Sequence, residues 1–248
     1  MNLIDVDGVT FSYQSDRQIL NEVSLTLHRG VNLGIVGESG SGKTTLLRIL
    51  LGLNLPSQGE VRFNGQVLNP RDRRFMREYR KSVQVVFQDP YSSLDPRQRV
   101  RDIIAEPLRA LRIRKPVAET VNDVLHAVGL PADAIDRYPH AFSGGQRQRI
   151  AIARAIVSQP DVVLADEAVS ALDLSTKIRI VELLKSLSNL TTLVLVSHDL
   201  GTVAALCEDI VVLEHGRIVE QGRVRDVLAS PQHPYTQKLL SSIPRMPQ

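Results

Sequence analysis

Short apolar runs separated by turn residues fill the first third of the chain. Runs at residues 4–11, 23–27, 32–36, 60–63 and 83–87 predict strands, most of them bounded by Gly, Asn, Ser or Pro. A helix is predicted over residues 43–51, stopped by Gly52. From residue 90 to about 158 the apolar positions recur at helical spacing and predict helices at 100–111, 117–128 and 147–157. Strand-like runs return at 162–165, 192–197, 210–214 and 217–219, with helices between them.

Strands alternating with helices predict an α/β fold with a mostly parallel sheet covered on both faces. The helical middle then reads as an insertion. On this reading residues 1–248 form one domain, with a core and β subdomain at 1–89 and 159–248 and a helical subdomain at 90–158. Composition is ordinary for a globular chain, at 43% hydrophobic and 23% charged residues. No apolar run approaches the roughly 18 residues of a membrane helix. The richest, 46–55, is interrupted by Arg48 and Gly52, so any work at a membrane is expected to go through a partner. Residues 1–7 carry no basic region leading into an apolar core, and no signal peptide is expected there. A formal charge of +3 is a poor footprint for nucleic acid, and the basic clusters at 71–80, 97–101 and 109–115 read as solvated faces; no nucleic-acid partner is expected. Cys207 is the only cysteine, which excludes an intrachain disulfide and agrees with a cytoplasmic setting.

Chemistry enters directly after the apolar run at 33–36. Gly37-Glu38-Ser39-Gly40-Ser41-Gly42-Lys43-Thr44 matches the phosphate-binding loop pattern in full. Glycines let successive N–H groups turn inward as an anion nest, and the following helix adds its positive end. Lys43 supplies a cation for the β- and γ-phosphates of ATP, the Thr44 hydroxyl a ligand for Mg²⁺, and Thr45 continues into the helix. The alternative is a glycine-rich turn before an ordinary helix, but a chance match in a chain this long has odds of roughly one in a hundred. A second apolar run, 161–165, leads into Asp166 and Glu167. Asp166 is placed to hold Mg²⁺ and Glu167 to polarise an attacking water; the plainer alternative is that both cap the next helix.

Phe142-Ser143-Gly144-Gly145-Gln146-Arg147-Gln148-Arg149 resembles the signature sequence of ABC ATPases and lies with Ser143 23 residues before Asp166. Further elements of that family follow in order. Tyr13 resembles the aromatic that stacks on adenine, and Gln88 the glutamine that senses the γ-phosphate and Mg²⁺. Ser170-Ala171-Leu172-Asp173 resembles the loop linking the two sites of the dimer, and His198 the switch histidine. The resemblance spans residues 3–244, nearly the whole chain. It implies a P-loop NTPase (RecA-like) core with an antiparallel β subdomain and an inserted α-helical signature subdomain. It also implies that Ser143, Gly144, Gly145 and Gln146 face the P-loop of a second ATPase subunit, identical or not, sandwiching ATP between them.

Three segments resemble one branch, the dipeptide, oligopeptide and nickel importer ATPases: residues 88–97 (Gln-Asp-Pro-Tyr-Ser-Ser-Leu-Asp-Pro-Arg), Arg137-Tyr138-Pro139-His140 and His233-Pro234-Tyr235-Thr236. Ser242-Ile243-Pro244 is a smaller cue of the same kind. The branch implies two membrane-spanning permease subunits and an extracytoplasmic solute-binding protein, with this chain peripheral on the cytoplasmic face. Two departures stand out. Ala168-Val169 replaces the commoner Pro-Thr and leaves the carboxylates intact. The sequence ends at Gln248 without the cysteine-containing extension of many members, which tilts the expectation towards a nickel or metal-chelate cargo. An exporter ATPase, or an ABC ATPase acting on DNA or ribosomes, is the alternative assignment. A P-loop kinase would have no use for residues 142–149.

Overall fold

The computed structural model describes residues 2–14, 17–169 and 172–241. Its strands are β1 (Asn2–Gln14), β2 (Arg17–His28), β3 (Leu33–Val36), β4 (Gln58–Phe63), β5 (Gln66–Val67), β6 (Val83–Val86), β7 (Val162–Asp166), β8 (Thr192–Ser197), β9 (Asp209–Glu214) and β10 (Arg217–Arg223). Its α-helices are α1 (Lys43–Leu50), α2 (Arg73–Ser82), α3 (Pro90–Ser93), α4 (Val100–Ala110), α5 (Val117–Ala127), α6 (Gly144–Ile156), α7 (Leu174–Leu187), α8 (Leu200–Leu206), α9 (Val224–Ala229) and α10 (Pro234–Ser241). The chain divides into two compact units, residues 1–71 with 192–248, and residues 72–191.

In the first unit β2, β1, β4 and β5 form an antiparallel sheet in that order. This is the expected β subdomain, and its first two strands run several residues beyond their apolar cores. β3 pairs in parallel with both β8 and β9, and β10 closes antiparallel on β9. β3 and β8 are buried at every position, which is why their sequences read as unbroken apolar runs rather than alternating ones.

Asn32, just before β3 and only 4% exposed, ties the entry ends of these strands together. Its side chain donates to the Leu206 carbonyl and accepts from the Leu193 N–H, both at 2.9 Å. Its own N–H donates to the Glu208 carboxylate at 2.7 Å, and its carbonyl accepts from the Glu208 and Asp209 amides at 3.1 Å. A buried amide satisfied this fully fixes register without leaving a desolvated polar group behind.

In the second unit β6 and β7 run parallel, paired from Val83↔Val162 to Val86↔Ala165. α4 packs on α5 and α6, burying Ile103, Ile104 and Leu108 of α4, Val121 and Leu125 of α5, and Ile150 and Ile152 of α6. The helical stretch expected at 90–158 lies inside this unit. α2 has no counterpart among the predicted helices. Four arginines and a lysine dilute its apolar signal to Met76 and Tyr79, the two residues it buries, and Asp72 caps it through the Arg74 and Phe75 amides. Its arginines do form the solvated face expected of the 71–80 cluster. α6 starts at Gly144 rather than 147, because Ser143 and Gln146 close a capping box ahead of the apolar periodicity.

Asn32→Ala strands the Leu193 donor and the Leu206 acceptor in the interior. It should destabilise the chain by about 2–4 kcal/mol, read as a lowered midpoint of chemical unfolding. A wild-type midpoint would show that these bonds contribute nothing.

Candidate functional site

In the first unit the register Val36↔Ser197 brings the residues that follow β3 and β8, Gly37 and His198, to one sheet edge. The carboxyl ends of parallel strands are where open α/β sheets receive ligands. Gly40 and Gly42 have φ of +82° and +109°, a region that favours glycine. A Cβ on Gly42 would also lie 2.8 Å from Leu20 Cδ2, and one on Gly37 2.2 Å from the Leu213 carbonyl oxygen. The loop is thus wedged against β2 and β9, with its shape set by close backbone approach. α1 begins at Lys43 with no side-chain cap, which leaves its first-turn amides to a ligand, and the Ser41 hydroxyl is buried with no hydrogen-bond partner. These features fit a bound phosphate chain. Lys43 Nζ donates to the carbonyls of Gly37 (2.7 Å) and Glu38 (2.9 Å), folded over the loop it would serve. Thr44 is exposed at the start of α1, and Thr45 is buried behind it.

Tyr13 is 55% exposed and stands beside α1. Its hydroxyl accepts from Asn54 at 3.3 Å and Arg48 at 3.5 Å. A hydrogen bond from Thr45, with these two, holds the phenol below its ordinary pKa. Its ring meets Phe11 edge-on at 4.8 Å, leaving a face for a flat ligand. His198 is exposed, and the next residue, Asp199, caps α8 through the Gly201 amide at 2.9 Å.

In the second unit the register Val86↔Ala165 does the same for Gln88 and for Asp166 and Glu167 at the end of β7. Gln88 Nε2 donates to Glu167 Oε2 at 3.0 Å. Asp166 ends a fully buried strand and is 8% exposed. Glu167 has φ +44°, a left-handed conformation that costs a non-glycine residue about 1–3 kcal/mol. α7 is capped by Asp173, which accepts from the Thr176 amide at 3.0 Å. The capping alternative for Asp166 and Glu167 therefore falls away.

Ser143 accepts from the Gln146 amide and is answered by the Gln146 side chain, leaving the Gly144 and Gly145 N–H groups at the tip of α6 as outward donors. Arg147 lies 4.1 Å over the Tyr91 ring and donates to the Pro139 carbonyl at 2.8 Å. Arg154 donates to the Ser93 carbonyl at 2.6 Å.

The predicted residues thus gather into two sets: Tyr13, residues 37–45 and His198 in one unit; Gln88, Asp166, Glu167 and 143–146 in the other. Ser170 and Ala171 of the loop predicted at 170–173, and residues 242–244, lie outside the described residues. Sequence reasoning missed Tyr235, whose hydroxyl accepts from the Glu38 amide at 2.7 Å. Its motif signalled a branch, but no local pattern links positions 197 residues apart.

Residues 20–170 match the family described as ABC transporter, and residues 219–248 the one described as oligopeptide/dipeptide transporter, C-terminal region. The chain is 45% identical over 228 residues to the oligopeptide transport ATP-binding protein OppF of Lactococcus lactis, covering 90% of this chain and 71% of that one. It is 43% identical over 240 residues to the dipeptide transport ATP-binding protein DppF of Haemophilus influenzae, covering 95% and 73%. Among solved structures, cbiO1 of Clostridium perfringens, part of the ABC transporter complex cbiONQ, superposes with a TM-score of 0.82 at 27% identity, over 92% and 91% of the two chains.

A Cβ on Gly145 would sit 2.3 Å from Thr176 Cγ2, whereas on Gly144 it meets only the Tyr91 hydroxyl at 3.7 Å. Gly145→Ala should therefore destabilise the chain by about 1–3 kcal/mol, and Thr176→Ser should restore it. Gly144→Ala should melt like wild type. Thermal unfolding of the four variants, with the Gly145→Ala/Thr176→Ser pair among them, checks this.

Proposed function

This chain belongs to the ABC transporter ATP-binding family, and from that premise we propose that it powers uptake of peptides through partner membrane subunits. It is an ATPase, and ATP is its substrate. The observation that carries the peptide reading is the succession of two matches, the ABC transporter family over 20–170 and the oligopeptide/dipeptide C-terminal region over 219–248. The similarity to OppF and DppF supports the same cargo class. Among the described residues no helix is long and apolar enough to cross a membrane. The chain would act at the cytoplasmic face beneath two permease subunits, paired with a second ATPase, with an extracytoplasmic solute-binding protein delivering cargo.

The roles follow from each residue's surroundings. The amides of residues 37–45 and Lys43 bind the phosphates, while Tyr13 offers a ring face to adenine. Ser143, Gly144, Gly145 and Gln146 offer a second set of donors to an ATP held by the partner ATPase. ATP bridging the two would bind the closed dimer better than the open one, and only such a difference shifts an equilibrium. Glu167, held by Gln88 at 3.0 Å, orients the attacking water, and His198 stands at the phosphate-loop edge. Thr44 in the first unit, and Gln88 and Asp166 in the second, each offer an oxygen suited to Mg²⁺, whose charge would offset that of the phosphates.

Glu167→Gln should keep ATP binding, lower steady-state hydrolysis by at least 100-fold on the order of a lost general base, and stabilise the closed dimer. Normal turnover in that variant would remove Glu167 from the role. For transport, the tagged chain is drawn from solubilised native membranes and its companions identified. Two multi-span subunits and a related ATPase support import; ribosomal or DNA-repair proteins alone would overturn it. Uptake by the recovered complex, peptide against nickel or a metal chelate, separates the two cargo classes.

A further inference from the structure

Glu38 is the second residue of the phosphate loop, and three of its groups are engaged. Its carbonyl accepts from Lys43 Nζ at 2.9 Å. Its amide donates to the Tyr235 hydroxyl at 2.7 Å, and its carboxylate pairs with Lys238 Nζ at 3.0 Å. Both of the last two partners stand on α10. The segment leading into α10 is itself fixed, since the Glu220 carboxylate accepts from the Gln232 amide at 2.9 Å and the His233 amide at 3.1 Å. His233 Nδ1 then accepts from the Tyr235 amide at 3.2 Å, setting the first turn of the helix. The Tyr235 side chain is packed in, the residue being 7% exposed, so its hydroxyl has one place to be.

We propose that Tyr235 and Lys238 are positioning residues for nucleotide, holding Glu38 so that the phosphate loop keeps its binding shape. The proposal rests on reading residues 37–44 as the ATP site. Nucleotide must draw Lys43 Nζ off the Glu38 carbonyl, and a loop anchored from behind at its amide and carboxylate keeps its place when that bond is released. A free loop would have to be ordered at the moment of binding, which lowers affinity. The C-terminal helix thereby sets how tightly the site holds ATP, although it offers no group to the phosphates.

The test uses the full chain, with a fluorescent ATP analogue for binding and steady-state hydrolysis for turnover. Tyr235→Phe keeps the ring and removes the hydroxyl. It should raise Kd and KM about five-fold, the factor equivalent to one lost hydrogen bond of about 1 kcal/mol, with kcat unchanged and Tm lowered by only about 2–4 °C. A merely structural role would lower Tm and leave Kd and KM alone, and that outcome overturns the proposal. Lys238→Met alters an exposed side chain and cannot threaten folding. Its Kd should rise about two-fold at low salt and converge with wild type at high salt, where the exposed pair is screened; no rise at low salt counts against the proposal. Wild-type protein that fails to bind the analogue, or binding indifferent to Lys43→Ala, overturns the ATP-site reading itself.

Discussion

Buried parallel strands leave no backbone polar group free, and the rest of this molecule depends on that constraint. β3 and β8 are buried along their whole length, so every N–H and C=O must find a partner in the neighbouring strand. Once Val36 is opposite Ser197, the phosphate loop and His198 have no choice but to emerge side by side. Asn32 holds the opposite end of the same strands and keeps the register from slipping. The second unit repeats the device with Val86 opposite Ala165, and there it delivers Gln88 to Glu167.

The candidate site residues are concentrated at these edges, where backbone geometry can point donors inward without a charged side chain. Gly37 and Gly42 sit where any Cβ would strike β2 or β9, so the loop's curvature is imposed by its neighbours. Glu167 carries the opposite sign of the same effect. A side chain stands where the backbone would prefer glycine, at φ +44°, beside a hydrogen bond from Gln88. The turn at residues 143–146 uses neither strain nor charge; a capping box there absorbs the Ser143 and Gln146 amides and leaves those of Gly144 and Gly145.

What was legible in the sequence is what is contiguous. Residues 37–44 and 161–167 stand out as patterns because their members are neighbours in the chain, and the buried strands because their apolar runs are unbroken. α2 was hidden by its own arginines, since only Met76 and Tyr79 of its ten residues face inward. The true start of α6 was written in Ser143 and Gln146, ahead of the periodicity that sets a helix apart. Tyr235 on Glu38, Arg147 on Tyr91 and Arg154 on Ser93 were not legible at all. Such contacts exist only after folding, and a histidine, proline and tyrosine in a row carry no trace of where their hydroxyl will land.

The two arginine contacts between α3 and α6 differ in kind, and the difference has a mechanical meaning. Arg154 holds the Ser93 carbonyl by a directional hydrogen bond, which weakens steeply once its angle bends. Arg147 rests on the Tyr91 ring through an attraction to the whole π-face, while its Nε is tied to the Pro139 carbonyl at 2.8 Å. α3 is thus held to α6 at two points, through a backbone oxygen and through a ring face, so losing either contact leaves the other in place.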